Sequence, residues 1–148
     1  MSSVTTYTSR KGLIPCGDKD LYMFLTDMRN FGSFIPEGTV SDWQADEDKC
    51  SFKANKTGRV TAQLSEALPF THITYIADTF ISGMVTVDMY VDSIDYNHSE
   101  ITIAFSAHLN PFLKIMIGDL ADKYLEDLIT LVENYNGYDK IRGYTQSL

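Results

Sequence analysis

Basic residues are scarce in this chain: 12 Lys and Arg stand against 20 Asp and Glu among 148 residues, a net charge of −8 at pH 7. A protein that holds nucleic acid by displacing counterions from phosphates needs a concentrated basic surface, and no basic run occurs here, so nucleic acid is not an expected partner. Cysteine is scarcer still. Cys16 and Cys50 are too few for a disulfide scaffold, and neither sits at a CxxC or Cys/His ligand spacing, so free thiols are expected. No window approaches about 18 uninterrupted apolar residues, and the opening from Met1 to Tyr7 lacks the basic start and apolar run of an export signal. The expectation is a soluble, cytoplasmic chain that does not insert into a membrane. P-loop, GxGxxG, HExxH and GxSxG patterns are all missing, which leaves nucleotide-cradling, zincin and serine-hydrolase readings without support. Neither a cofactor nor a metal is expected.

What remains is ordinary globular material: 44% hydrophobic, 12% aromatic and 22% charged residues, outside the composition that stays disordered. At this length a folded chain buries roughly 70% of its unfolded surface, enough for one core and not two. A single domain over residues 1–136, followed by a short polar tail over 137–148, is the expected organisation. The opening from Thr5 toward Ile14-Pro15 is β-prone and stops at the proline. Asp18 then reads as the N-cap of a short helix whose stripe is Leu21, Phe24, Leu25 and Met28. Phe31, Phe34 and Ile35 suggest a second short helix or turn, closed by Pro36-Glu37-Gly38.

From Thr39 to Leu109 the apolar period becomes two. Turn signals at Asp46-Glu47-Asp48-Lys49, Lys56-Thr57-Gly58-Arg59, Leu68-Pro69, Ser82-Gly83 and Asp95-Tyr96-Asn97-His98 divide a meander of five or six strands. Phe52 and Ala54, Val60, Ala62 and Leu64, Ile73, Tyr75 and Ala77, then Val85 to Val91 and Ile101 to Leu109 at alternate positions give one buried face. Asn110-Pro111 opens a long helix, since Asn caps free N–H groups and Pro at the first helical position loses no needed donor. Leu113, Ile117, Leu120, Tyr124, Leu128, Leu131 and Tyr135 form its apolar stripe over about six turns, with Gly137 ending it.

This order of elements, with Ile14-Pro15, the run Phe24-Leu25-Thr26-Asp27-Met28-Arg29-Asn30-Phe31 before Ile35-Pro36, and Leu109-Asn110-Pro111-Phe112-Leu113-Lys114, resembles the START-like superfamily, also called SRPBCC or polyketide cyclase/dehydrase-like, in its small bacterial single-domain members. The resemblance implies an α+β helix-grip fold: a curved antiparallel sheet of six or seven strands, two short helices, and one long C-terminal helix over an elongated cavity. It also implies a hydrophobic or amphipathic small-molecule ligand, lipid- or polyketide-like. It does not single out one chemistry.

A cavity between the inward strand positions and the helix stripe is expected to be lined by Phe52, Val60, Ala62, Tyr75, Val87, Met89, Ile103, Phe105, Met116, Leu120 and Tyr124. Ordinary core packing is the competing reading for each. Tyr75 and Tyr124 stand out because a buried phenol needs a hydrogen-bond partner and can orient a polar ligand group. His72 and His108 fall on the outward register and His98 in a turn, so surface positions are expected for all three. Asp88, Asp92 and Asp95 read as a solvated ridge, Asp27, Arg29 and Asn30 as a helix end, and Cys50 as a small buried hydrophobe. No catalytic residue is identified. Non-covalent binding is the first functional reading; a cyclase or dehydratase using Tyr75 or Tyr124 as acid–base group, and a protein-interaction module with a vestigial cavity, are the alternatives.

Overall fold

Period-two alternation makes strands, and each inward row needs a cover. In the computed structural model, which describes residues 3–34, 38, 40–54, 58–79 and 83–141, that cover is one helix. The chain runs β1 (Ser3–Thr8), β2 (Gly12–Ile14), α1 (Asp18–Leu25), a 3-10 helix (Met28–Phe34), β3 (Val40–Ala45), β4 (Lys49–Ala54), β5 (Gly58–Leu68), β6 (His72–Thr79), β7 (Gly83–Asp95), β8 (His98–Leu109), α2 (Pro111–Asn134) and α3 (Tyr138–Ile141). The strands form one antiparallel sheet in the order β1-β8-β7-β6-β5-β4-β3, with β2 also paired to β8. The meander has six strands, the larger of the two numbers expected of it.

The sheet has eight strands, because the opening segment is two strands rather than one. β1 and β2 both pair with β8, and between them the Ser9 N–H donates to the Ile103 carbonyl at 2.8 Å. Asp18 is the first helical residue of α1 and not its cap, a position taken by Gly17 without a side-chain bond. Inside the first turn Asp18 and Asp20 meet the positive end of the helix dipole instead. The expected breaks at Ile35 to Glu37, Lys56-Thr57 and Ser82 lie outside the described residues. Asp46 closes its turn as expected, its carboxylate accepting from the Asp48 and Lys49 N–H groups.

The start of α2 follows the sequence: the Asn110 side chain accepts from the Leu113 N–H at 2.9 Å, with Pro111 in the first turn. Its buried arc does not. Leu125, Ile129 and Val132 are buried, whereas Leu120, Tyr124 and Leu131 are 47%, 55% and 37% exposed. The arc is displaced by one residue, about 100°, because the helix packs on β1, β2 and β8 at one side of the sheet rather than across its middle. Gly12 permits the close approach, since a β-carbon there would lie 2.9 Å from Ile129 side-chain atoms. No residue of α2 before Leu125 is buried.

The C-terminal end also differs from expectation. Tyr138 and Ile141 of α3 are buried, and the Tyr138 hydroxyl donates to the Val132 carbonyl at 2.6 Å, so these two residues join the core while Asp139 and Lys140 are exposed. Residues 142–148 lie outside the described residues.

Arg10, in the link between β1 and β2, pins that link to α2. It donates to Glu126 at 3.0 Å, Glu133 at 2.7 Å and the Thr130 hydroxyl at 3.2 Å, while Glu133 also accepts from the Leu13 N–H at 2.9 Å. The Arg10 hydrogen bond, followed by the Leu13 N–H, holds the Glu133 carboxyl below its ordinary 4.5. A carboxyl depressed by folding stabilises the fold above the unfolded value, and that contribution is lost as pH falls through the folded one. Glu133→Gln should therefore melt a few degrees below the wild type at pH 7, with the gap closing in acid below about pH 4.5. Thermal melts at a series of pH values check this, and a gap independent of pH would assign the effect to packing.

Candidate functional site

The concave face of the sheet has a rung of small side chains running across it. Thr5 pairs with Ala107, Ala107 with Val85, Val85 with Ala77, Ala77 with Ala62, Ala62 with Cys50 and Cys50 with Ala45. The next rung is larger: Tyr7, Phe105, Val87, Tyr75 and Leu64. Small residues cannot reach a helix lifted at its N-terminal half, and the space left is a cavity of about 460 Å³. Its roof is Ile117, Leu120, Ala121, Tyr124 and Leu128 of α2. Met28, Phe31 and Phe34 of the 3-10 helix and Trp43 of β3 complete the wall. Aromatic contacts stiffen that part, with Phe31 edge-on to Tyr75 at 5.2 Å and Trp43 stacked on Phe52 at 5.8 Å.

Nine expected residues stand on this wall: Phe52, Val60, Ala62, Tyr75, Val87, Met89, Phe105, Leu120 and Tyr124. Two do not. Ile103 is wholly buried in the core, and Met116 is 55% exposed on α2 and not on the wall, about 100° around the helix from the wall residue Ile117. Tyr7, Phe31 and Trp43, as well as the small floor residues Ala77, Val85 and Ala107, stand on the wall without being among the expected lining residues. The floor residues lay on the recognised inward register, and their smallness was the available signal. Trp43 lies within a register shift between Ser41 and Gln44, beside Asp42 at φ 55°, which alternation does not reveal.

The wall has little that ionises. Among the described residues lining it there is no Asp, Glu, His, Lys or Arg. Tyr75 is buried, and its hydroxyl donates to the Leu25 carbonyl at 2.7 Å. Burial holds this phenol well above its ordinary range. Burial likewise pushes the Cys50 thiol up to about 11. At neutral pH the wall is therefore uncharged.

The polar clusters lie elsewhere, as expected. His72 stacks on Tyr90 and bonds Asp88 at 2.8 Å on the outer face of the sheet, His98 bonds Asp95 at 2.8 Å in the last turn, and His108 is exposed. Asp27 pairs with Arg29 at 2.6 Å, and the Asn30 side chain donates to the Phe24 carbonyl, so these residues terminate α1. No group of three or more His, Cys, Asp or Glu suited to a metal occurs among the described residues. No helix among them is long and apolar enough to cross a membrane.

No family model and no curated sequence matches the chain. Solved structures do. Truncated norcoclaurine synthase from Thalictrum flavum superposes with a TM-score of 0.67 at 7% identity, over 89% of this chain and 92% of that one. A solution structure from Thermobifida fusca gives 0.67 at 12% identity over 92% and 94%. A conserved protein from Geobacillus kaustophilus gives 0.61 at 13% identity over 93% and 95%. The chain has the START-like helix-grip fold. Another structure of norcoclaurine synthase from Thalictrum flavum holds dopamine and hydroxybenzaldehyde.

Tyr75→Phe removes the hydroxyl and leaves the Leu25 carbonyl without its partner. Denaturant unfolding should show a loss of about 1–2 kcal/mol. An unchanged midpoint would mean that the bond is replaced by water.

Proposed function

We propose that this chain binds a hydrophobic or amphipathic small molecule, lipid- or polyketide-like, non-covalently in the cavity beneath α2, as a cytoplasmic carrier or receptor. The observation that supports this most directly is the uncharged wall around a cavity of about 460 Å³, a volume within the usual range for small-molecule sites. An empty apolar space of this size forfeits dispersion contacts on every side, and an apolar occupant restores them. A charged occupant would leave its charge unpaired at considerable cost. The ligands of norcoclaurine synthase support the same reading by analogy of fold alone. A cyclase or dehydratase would need an acid–base group in the wall. The Tyr75 hydroxyl is committed to Leu25, and Tyr124 is half exposed with no carboxylate or imidazole beside it on that wall.

Trp43 is the single tryptophan and stands on the wall, so its emission reports occupancy. Neutral N-phenylnaphthylamine should shift Trp43 emission saturably, and native mass spectrometry of freshly purified protein should show a releasable apolar adduct. Ala77→Phe, which places a ring on the small floor, should weaken the probe by at least tenfold while circular dichroism stays that of the wild type. Equal probe affinity in the folded variant would sink the reading.

A further inference from the structure

β1 brings to this apolar wall a polar group that no described residue engages. Tyr7 lies on the inward register of β1, pairs with Phe105 and is half-buried on the cavity wall. Its hydroxyl reaches the underside of α2, and a β-carbon on Gly118 would lie 3.8 Å from the hydroxyl oxygen. A β-carbon there would sit in ordinary contact with that oxygen, and only a longer or branched side chain at position 118 would crowd it. The wall has three phenols, and their hydroxyls have different fates. That of Tyr75 donates to Leu25, and Tyr124 is more than half exposed to water. That of Tyr7 makes no hydrogen bond to any described residue, and it is not sealed from the space around it.

A second observation concerns the same end of the cavity. Thr5, two residues earlier on the same side of β1, has the one buried side-chain polar atom without a partner among the described residues. Its strand partner Ala107 is on the wall. Two hydroxyls without a partner among the described residues therefore lie on one side of β1, that of Tyr7 on the wall and that of Thr5 buried next to the wall residue Ala107.

Resting on the binding reading above, we infer that Tyr7 is the polar anchor of the cavity: its hydroxyl donates to an oxygen, of the ketone, ester or ether kind, on an otherwise apolar and uncharged ligand. The phenol then sets orientation, with the oxygen-bearing end of the ligand under Gly118 and its apolar remainder over the small floor. A carboxylate is disfavoured, because no cation is among the described residues lining the wall to compensate it.

The test uses two probes of nearly the same shape, methyl naphthyl ketone and ethylnaphthalene, titrated by calorimetry into the wild-type chain, Tyr7→Phe and Tyr75→Phe. Comparing the ketone-to-hydrocarbon affinity ratio between proteins cancels the difference in how water solvates the two probes. The ratio should fall about three- to tenfold in Tyr7→Phe, the worth of one net hydrogen bond, and stay unchanged in Tyr75→Phe, whose hydroxyl is already engaged. An unchanged ratio in Tyr7→Phe, with both probes still binding, overturns the anchor and leaves cavity binding intact. Failure of both probes and of N-phenylnaphthylamine to bind the wild type overturns the binding reading, and the anchor with it. Should Tyr7→Phe fold poorly, Gly118→Val in the wild-type background provides the second test. It crowds the hydroxyl and should lower the ketone affinity more than the hydrocarbon affinity; an equal loss for both would again overturn the anchor.

Discussion

The architecture depends on where α2 is held. Leu125, Ile129 and Val132 seat its C-terminal half on β2 and β8, the close approach at Gly12 brings the backbones together, and Arg10 ties the same turns to the β1–β2 link. Burying each of these aliphatic side chains is worth roughly 1.5–3 kcal/mol, so the helix is secured at that end. Its N-terminal half carries no buried residue and roofs the cavity instead. Rigid anchoring at one end allows the other end to stand off from the sheet.

The cavity follows from the sheet register as much as from the helix. Alternation alone would build a filled core if the inward rungs were all Leu, Ile and Phe. One rung is instead Ala, Val and Cys from β3 to β8. Pairing keeps these residues in line across the sheet, so the volume they leave merges into one space rather than scattering into separate gaps. The aromatic pairs Phe31–Tyr75 and Trp43–Phe52 brace the wall beside that space. A floor built this way costs packing contacts that a fully filled core would have kept.

Most of the architecture could be read from residue pattern, because period two and period 3.6 are local properties. The six strands of the meander, the Asn110-Pro111 helix start and the outward histidines all follow from neighbouring residues. What could not be read depends on distant contacts. The rotation of the buried α2 arc is set by β1, β2 and β8, residues roughly a hundred positions earlier or just before the helix. The burial of Tyr138 depends on the Val132 carbonyl and the underlying core, so a polar-looking tail concealed two core residues. Trp43 was hidden by a bulge, which shifts register without changing composition. Nine of the eleven expected wall positions are on the wall because they lie on strands and helix turns whose phase the bulges left intact.

The tyrosines show why residue type alone does not assign a role. From sequence, Tyr75 and Tyr124 carried the chemical interest, and Tyr7 and Tyr138 carried none. In the fold the decisive difference is where each hydroxyl goes. Those of Tyr75 and Tyr138 are spent on the Leu25 and Val132 carbonyls, and burial raises both phenols above their ordinary range, which fixes them as neutral donors. Such groups tie α1 to the sheet and α3 to α2. A phenol so placed gives up chemistry for structure, because releasing its hydroxyl to a ligand would orphan a buried carbonyl at a cost of about 1–3 kcal/mol. Tyr7 bears no such obligation. Its hydroxyl can turn toward an occupant with no bond broken inside the protein, so specificity at this wall falls to the tyrosine that the fold left unused.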